Sequence, residues 1–136
     1  LVEAIFRQVG YRDGYFEVET PVLEPMSTLP REAFSLLSDT FFVAFDLVDY
    51  DAQENVQNVQ RVALRPEGTL PICRFLAQQL SQGMELPQRL IYAITCYRNE
   101  PIEELDGFKR RQFSQLGVEV IGDPSLEADA QVIKYA

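Results

Sequence analysis

The chain contains no histidine and no tryptophan, and only two of its 136 residues are cysteines. Without histidine, the sequence offers neither a zinc site of the cysteine and histidine type nor a histidine general base. The two cysteines, Cys73 and Cys96, are predicted to be buried thiols. These absences exclude catalysis that depends on a histidine side chain, and no protein-bound metal site is predicted.

The sequence also lacks a long apolar run and an excess of positive charge. No signal peptide, transit sequence or membrane-spanning stretch is visible, so we expect a protein of the reducing cytosol that does not enter a membrane. A net charge of −9 argues against sequence-independent nucleic-acid binding, which needs a broad basic surface. The basic cluster at residues 109–111 fits either a guarded strand edge or a local phosphate contact.

The residues that are present are sufficient for one globular domain. A hydrophobic content of 46% with 24% charged residues is ordinary for such a domain, and we expect residues 1–136 to fold as a single unit. Apolar spacing predicts a first helix that ends at Gly10 or Gly14. A second helix is predicted to be capped by Gly68 or Thr69.

Two further helices are expected from capping signals. A short helix is predicted over residues 31–37, where a proline precedes it. Near the end of the sequence, Asp123 is the predicted N-cap of a helix with Leu126, Ala130 and Ile133 on its apolar face. The strands are therefore expected in the segments between these helices.

Alternation of apolar and polar residues predicts these strands. Phe16 and Val18 alternate with glutamates until Pro21, which excludes a central strand and marks an edge segment well placed to meet another subunit. Two apolar segments, residues 41–48 and 59–64, flank a polar stretch and predict a hairpin with a long tip.

The most informative stretch lies between residues 90 and 122. Its first half, Leu90–Tyr97, is a continuous apolar run that predicts a strand buried on both faces, with Arg98 and Glu100 at its exit. The second half alternates with a period of two, which predicts a strand with one apolar face and one mixed face. The residues of this mixed face are Phe113, Gln115, Gly117 and Glu119.

A polar face of this kind is commonly just the solvated side of an antiparallel sheet. Its content favours a binding site instead, because Phe113 offers a stacking surface and Gly117 lets a ligand approach the backbone. Gln115 and Glu119 can accept hydrogen bonds from an amine or a ring N–H. The mixed face therefore predicts a site for a small cationic or amphoteric molecule.

A second carboxylate comes from Glu67, in the stretch Arg65–Thr69. That stretch also fits a simple strand-to-helix turn, and the sequence leaves both interpretations open. If Glu67 and Glu119 share one pocket, a substrate must supply a donor to each, because an unpaired carboxylate there costs about 1–3 kcal/mol or more, or takes up a proton. The pair therefore predicts a ligand that carries two nitrogen donors.

Three stretches resemble the class II aminoacyl-tRNA synthetases, and most closely the histidyl-tRNA synthetases. Residues 14–24, G-Y-F-E-V-E-T-P-V-L-E, resemble the first motif of the class, and residues 64–69, L-R-P-E-G-T, resemble the amino-acid loop of the histidine enzymes. Y-R-N-E at 97–100 and R-Q-F-S-Q-L-G-V-E-V-I-G at 111–122 resemble the second motif and its continuation. The third motif has no counterpart, so the resemblance covers the first part of a catalytic core.

The resemblance implies a fold and a reaction. The fold is of the α+β class, an antiparallel β-sheet flanked by helices, and the enzyme is a homodimer with Pro21 of the first motif at the interface. The reaction is the adenylation of histidine by ATP with Mg²⁺, followed by transfer to the acceptor end of tRNA(His) in the cytoplasm.

The resemblance also implies roles for individual residues. Arg98 would be the catalytic residue that holds the α-phosphate of ATP, Glu100 would lie on the nucleotide side, and Phe113 would stack on adenine. The four residues that would hold histidine by its amino group and imidazole are Glu67, Thr69, Gln115 and Glu119.

The chain departs from the family after Glu100. Where the family continues with Arg-Pro-Gln and a glycine-rich loop, this chain has the longer, acidic segment Pro101–Asp106. Two alternatives to the ligase therefore stay open: a non-charging paralogue, such as the regulatory subunit of ATP phosphoribosyltransferase, and a class II synthetase-like enzyme for another amino acid. The acidic segment favours the paralogue, whereas the intact set of four histidine-binding positions favours the ligase.

Overall fold

The computed structural model of the protein describes residues 1–28, 43–104 and 109–135. In chain order its helices and strands are α1 (Val2–Arg12), β1 (Phe16–Glu17), β2 (Leu23–Pro25), β3 (Val43–Tyr50), β4 (Val56–Leu64), α2 (Thr69–Ser81), β5 (Gln88–Tyr97), β6 (Gln112–Ile121) and α3 (Leu126–Tyr135). The helix predicted over residues 31–37 lies outside the described residues. None of the helices in the described ranges is long and apolar enough to cross a membrane.

The strands form two three-stranded sheets, with the orders β1-β5-β6 and β2-β4-β3. Neighbouring strands are antiparallel except β1 and β5, which pair in parallel. A parallel pair needs a long crossover, and here β2, β3, β4 and α2 all lie between β1 and β5 along the chain. The predicted α+β fold, an antiparallel sheet flanked by helices, is confirmed.

Strand β5 is the centre of the first sheet and carries much of the core. Leu90, Ile91 and Tyr92 are buried in succession, which confirms the prediction of a strand buried on both faces. Helix α2 covers one of these faces. The buried residues of that cluster are Ile72, Leu76, Leu90, Tyr92, Ile94 and Cys96.

Helix α1 packs on the other face of β5 through a glycine. A Cβ atom at Gly10 would lie 2.4 Å from Cδ1 of Ile91, so glycine permits this close approach. The helix therefore continues through Gly10 and ends at Arg12, shortly before Gly14, whose φ of +83° favours glycine. Of the two predicted ends of this helix, Gly14 is the correct one.

The hairpin of β3 and β4 has a shorter tip than the sequence pattern predicts. Strand pairing continues as far as Tyr50 and Val56. Asp51 closes the tip by accepting hydrogen bonds from the backbone N–H groups of Gln53 and Asn55, both at 2.9 Å. The long-tip prediction was wrong because solvent reaches this part of the hairpin, so polar residues there are compatible with strand pairing.

Helix α3 begins later than predicted. Its capping side chain is Ser125, whose Oγ accepts a hydrogen bond from the N–H of Ala128 at 3.2 Å. Asp123, the predicted cap, accepts instead from the N–H of Ser125 at 3.2 Å and pairs with Arg89 at 2.8 Å. The carboxylate of Asp123 therefore fixes the turn before the helix and the turn's contact with β5.

The predicted apolar face of α3 was also wrong. Leu126 and Ile133 are 81% and 74% exposed, whereas Ala128 is buried and Val132 and Tyr135 are half-buried. Both sets follow helical spacing, so periodicity alone does not distinguish them. The choice is made by packing, because Tyr135 contacts the aromatic rings of α1 and of the segment that follows it.

Two buried charged residues tie the second sheet to its surroundings. Arg65, 3% exposed, directly follows β4 and donates hydrogen bonds to the carbonyl oxygens of Thr95, at 2.8 Å, and of Thr20. Glu24 of β2, 2% exposed, accepts two hydrogen bonds from Arg74 of α2 at 2.7 and 2.9 Å. These contacts hold the connection from β4 to α2 directly beside β5.

Candidate functional site

The mixed face of β6 lies on the same side of the sheet as α2, and all four of its predicted residues are half-buried. It is therefore not simply the solvated side of the sheet. The register pairs its residues with the core residues of β5 in the order Phe113 with Cys96, Gln115 with Ile94, Gly117 with Tyr92, and Glu119 with Leu90. A site results between β6, the N-terminus of α2 and the exit of β5.

Glu67 lies at the N-terminus of α2 and supplies its side-chain cap. The two carboxylate oxygens accept hydrogen bonds from the backbone N–H groups of Thr69 and Leu70, both at 2.6 Å. The sequence predicted a cap from Gly68 or Thr69; Gly68 occupies the N-cap position but has no side chain to bond. An acidic group at this end also interacts favourably with the helix dipole.

The other three predicted amino-acid-binding residues meet in front of this helix end. Oγ1 of Thr69 donates a hydrogen bond to Oε1 of Glu119 at 2.7 Å. Gln115, four residues before Glu119 on the same face of β6, donates from Nε2 to the hydroxyl of Tyr92 at 3.3 Å and accepts from Sγ of Cys96 at 3.2 Å. Residues that are 50 positions apart in sequence, Thr69 and Glu119, therefore share one site.

Tyr92 is a site residue that the sequence reasoning missed. Its ring lies between two glycines, because a Cβ atom at Gly68 would be 2.4 Å from Cε2 and one at Gly117 would be 2.0 Å from Cζ. Gly117 therefore admits the tyrosine ring rather than a ligand. The strand register could have indicated this role, since Tyr92 pairs with Gly117 of the mixed face. The sequence pattern did not single it out, because Tyr92 lies within a continuous apolar run.

Arg98 and Phe113 form the second half of the site. The guanidinium carbon of Arg98 lies 4.8 Å from the centroid of the Phe113 ring, within cation–π range. Nε of Arg98 donates to the carbonyl oxygen of Pro66 at 3.2 Å, which links Arg98 to the loop that carries Glu67. The structure therefore brings the predicted phosphate-binding and amino-acid-binding residues together.

The ends of β5 and β6 are held together beyond the last paired residues. The N–H of Arg98 donates to the carbonyl oxygen of Arg111, and Nε of Arg111 donates to the carbonyl oxygen of Glu100, both at 2.9 Å. Glu100 is half-buried at the start of the connecting segment. The side chain of Arg111 thus takes part in holding the connecting segment. This contact is compatible with the interpretation of the basic cluster at residues 109–111 as protection of a strand edge.

Burial governs the ionisation of two groups in the site. It raises the pKa of the Tyr92 hydroxyl to about 12, an effect that the hydrogen bond to Thr69 opposes and the charges of Glu119 and Glu67 reinforce. Burial likewise raises the pKa of the Cys96 thiol to about 11. Both groups are therefore protonated at neutral pH and can donate hydrogen bonds.

The cysteines differ in burial. Cys96 is buried as predicted, but Cys73 is exposed on α2, so the prediction for it was wrong. Helical spacing predicts Cys73 within one apolar stripe with Ile72 and Leu76, but the residues of α2 that pack in the cluster with β5 are Ile72 and Leu76, with the half-buried Phe75 beside them. Cys73 is one position further around the helix.

Pro21 lies on the surface between the two sheets, after the edge strand β1 and before β2. Large apolar side chains near it, those of Phe16, Val22 and Leu23, are also exposed. An edge strand beside exposed apolar residues is a suitable surface for a second subunit. The predicted dimer contact at Pro21 stays a prediction.

Comparisons with known proteins agree with this geometry. Residues 2–136 match the family model of histidyl-tRNA synthetase. The chain is 35% identical over 135 residues to an ATP phosphoribosyltransferase regulatory subunit of Acetivibrio thermocellus, covering 99% of this chain and 29% of the relative. It is 34% identical over 132 residues to a histidine–tRNA ligase of Saccharolobus islandicus, covering 97% of this chain and 28% of the relative.

Solved structures give the same result. A structure from Bacillus halodurans, described as an ATP phosphoribosyltransferase regulatory subunit/histidyl-tRNA synthetase, matches 96% of this chain and 30% of its own with a TM-score of 0.68 and 33% identity. The apo histidyl-tRNA synthetase of S. aureus shares the fold, with a TM-score of 0.66 at 24% identity over 98% of this chain and 31% of its own. The chain thus spans less than a third of the length of these relatives. It belongs to the histidyl-tRNA synthetase family.

Proposed function

We propose that the protein is a histidine–tRNA ligase that binds histidine at this site, adenylates it with ATP in the cytoplasm and transfers it to the acceptor end of tRNA(His). One observation carries the proposal: the Thr69–Glu119 hydrogen bond lies on the same side of the sheet as Arg98 and Phe113, and Pro66 connects the two halves. An amino-acid subsite and a phosphate subsite therefore share one loop.

The amino-acid half is made of acceptors held in place by α2 and β6. Glu119 is fixed by Thr69, and Glu67 is fixed by the helix N-terminus. Each carboxylate oxygen can accept more than one hydrogen bond, so both residues can still receive the ammonium and imidazole N–H groups of histidine. A site that pairs such donors rejects apolar analogues far better than an apolar slot does.

The nucleotide half fits ATP by the chemistry of its residues. Arg98 supplies a guanidinium for the α-phosphate, and Phe113 supplies an aromatic surface for adenine. Mg²⁺ bound with the nucleotide would neutralise charge on the other phosphates. A carboxylate oxygen of histidine forms a bond to the α-phosphorus while the bond to the departing pyrophosphate breaks, and Arg98 stabilises the charge on the phosphoryl oxygens.

A second candidate function is histidine binding without charging, as a regulatory subunit of an ATP phosphoribosyltransferase. It is favoured by the named relative from Acetivibrio thermocellus and by the acidic segment Pro101–Asp106, which replaces the Arg-Pro-Gln of the family pattern. Both candidates need histidine binding, and only the ligase needs adenylation. Histidine-dependent exchange of pyrophosphate into ATP therefore distinguishes them.

Calorimetric titration tests the shared part of the proposal. We expect histidine to bind more tightly than leucine or phenylalanine, and Glu119→Gln to weaken histidine binding about 10- to 100-fold, because it removes a charged acceptor. ATP affinity should not change. Glu127→Gln, at an exposed position of α3, is the matched control and should bind histidine normally. Leucine binding as tight as that of histidine would contradict the assignment.

Sedimentation tests the proposed dimer. We expect the protein to associate at micromolar concentration and Val22→Asp, beside Pro21, to weaken the association by placing a charge in an apolar contact. Leu126→Asp changes an equally apolar but distant exposed residue of α3 and should leave association unchanged. A stable monomer of the unmodified protein would show that this surface is not a dimer interface.

A further inference from the structure

A row of hydrogen bonds crosses the amino-acid half of the site. Sγ of Cys96 donates to Oε1 of Gln115 at 3.2 Å, and Nε2 of Gln115 donates to the hydroxyl of Tyr92 at 3.3 Å. Oγ1 of Thr69 donates to Oε1 of Glu119 at 2.7 Å. The thiol, the amide and the tyrosine hydroxyl therefore form one row of hydrogen bonds, and Thr69 and Glu119 form a separate pair in the same half of the site.

The direction of each hydrogen bond in the row follows from simple chemistry. A carboxylate only accepts, and a threonine hydroxyl has one hydrogen, so Thr69 gives its hydrogen to Glu119. The oxygen of Tyr92 accepts from Nε2 of Gln115. At the other end of the row, the Cys96 thiol donates to Oε1 of Gln115. The amide nitrogen Nε2 is therefore the group that points to Tyr92 and donates to its hydroxyl.

We propose that Tyr92 is a positioning residue that orients the amide of Gln115 in the amino-acid site, an inference that rests on the proposed function. Its hydroxyl holds this amide so that the second N–H on Nε2 is a donor for the ligand. Thr69 independently holds Glu119 as an acceptor. A side chain that offers one acceptor and one donor, as a neutral imidazole does, satisfies both; an alkyl side chain satisfies neither.

Close packing around the ring of Tyr92 fixes the position of its hydroxyl. Tyr92 is 3% exposed, and Gly68 and Gly117 approach it so closely that a Cβ atom at either position would overlap the ring. The loop before α2 and the strand β6 are therefore both positioned against the same tyrosine. Loss of the hydroxyl leaves the ring in place but releases the amide of Gln115.

Tyr92→Phe tests the role of the hydroxyl in binding. We expect histidine affinity to fall about tenfold with ATP affinity unchanged, and the combined loss in Tyr92→Phe/Gln115→Ala to be smaller than the product of the two single losses. Tyr97→Phe removes the same group from the same strand and should have no effect. A simple product of losses, or an equal loss of ATP binding, would overturn the proposal in favour of a merely structural role.

A second measurement does not depend on histidine binding. In a Cys73→Ser background Cys96 is the sole thiol of the chain, and its S–H stretching band reports the hydrogen bond to Gln115. We expect Tyr92→Phe to shift this band, because the amide is no longer held from its other end. An unshifted band would overturn the inference even if histidine binds. A shifted band in a protein that does not prefer histidine to leucine would support the inference and refute the proposed function.

Discussion

Replacement of Arg98 by alanine is expected to reduce histidine-dependent pyrophosphate exchange about 10²- to 10³-fold, the usual effect of removing one donor that stabilises transition-state charge. Histidine affinity should stay within a few-fold of the original value. The reason is that Arg98 lies in the half of the site proposed to bind the nucleotide, against Phe113 and the carbonyl oxygen of Pro66. Interactions formed only in the transition state affect turnover more than ground-state binding.

Two variants sharpen this test. Arg98→Lys keeps the charge but loses the planar fork, so it should recover only part of the exchange activity. Arg110→Ala removes an exposed arginine from the segment just before β6 and should leave exchange unchanged. Normal exchange in Arg98→Ala would refute its catalytic role. Histidine binding without any exchange in the unmodified protein would instead favour the regulatory function.

The second large effect concerns stability. Arg74→Met is expected to lower the free energy of unfolding by about 3–5 kcal/mol, the usual cost of leaving one member of a buried ion pair without its partner. Glu24 is 2% exposed and accepts both of its hydrogen bonds from Arg74. Removal of the guanidinium therefore leaves this buried carboxylate without its charged partner.

The reverse substitution should cost less, and this asymmetry is the test. The side chain of Arg74 is 31% exposed, so in Glu24→Gln the guanidinium can still be hydrated. Urea unfolding gives both free energies, and Glu24→Leu/Arg74→Met should recover much of the loss because no buried charge remains. Arg61→Met, from the exposed pair with Asp46, should change stability by less than about 1 kcal/mol. A larger loss in Glu24→Gln than in Arg74→Met would contradict this account.

Local pattern was a good guide to the two long strands of the first sheet. The apolar run of β5 and the alternation of β6 were both predicted. These two predictions succeeded because side chains in a strand alternate between faces, so the sequence of a half-buried strand records which residues share a side. The turn before α2 could also be placed from local sequence, because proline restricts the backbone there and glycine adopts conformations that other residues disfavour.

Pattern failed where two arrangements satisfy the same local rule. On α3, the set beginning at Leu126 and the set beginning at Ala128 have the same helical spacing, and packing of Tyr135 against α1 decided between them. Glu67 was expected to face a ligand, but its carboxylate also caps α2. The sequence does not indicate which hydrogen-bond partners the flexible carboxylate of a glutamate will have in the folded protein.

The sequence by itself determined the classes of element, the mixed face of β6 and the membership of Arg98, Phe113, Gln115 and Glu119 in one stretch. Only the tertiary structure decided that Thr69 bonds to Glu119 and that Tyr92 fills the space in front of Gly68 and Gly117. The physical reason is that periodicity is a property of neighbours along the chain. The hydrogen-bond partners of the site come from β5, β6 and α2, which meet only after the intervening chain has folded.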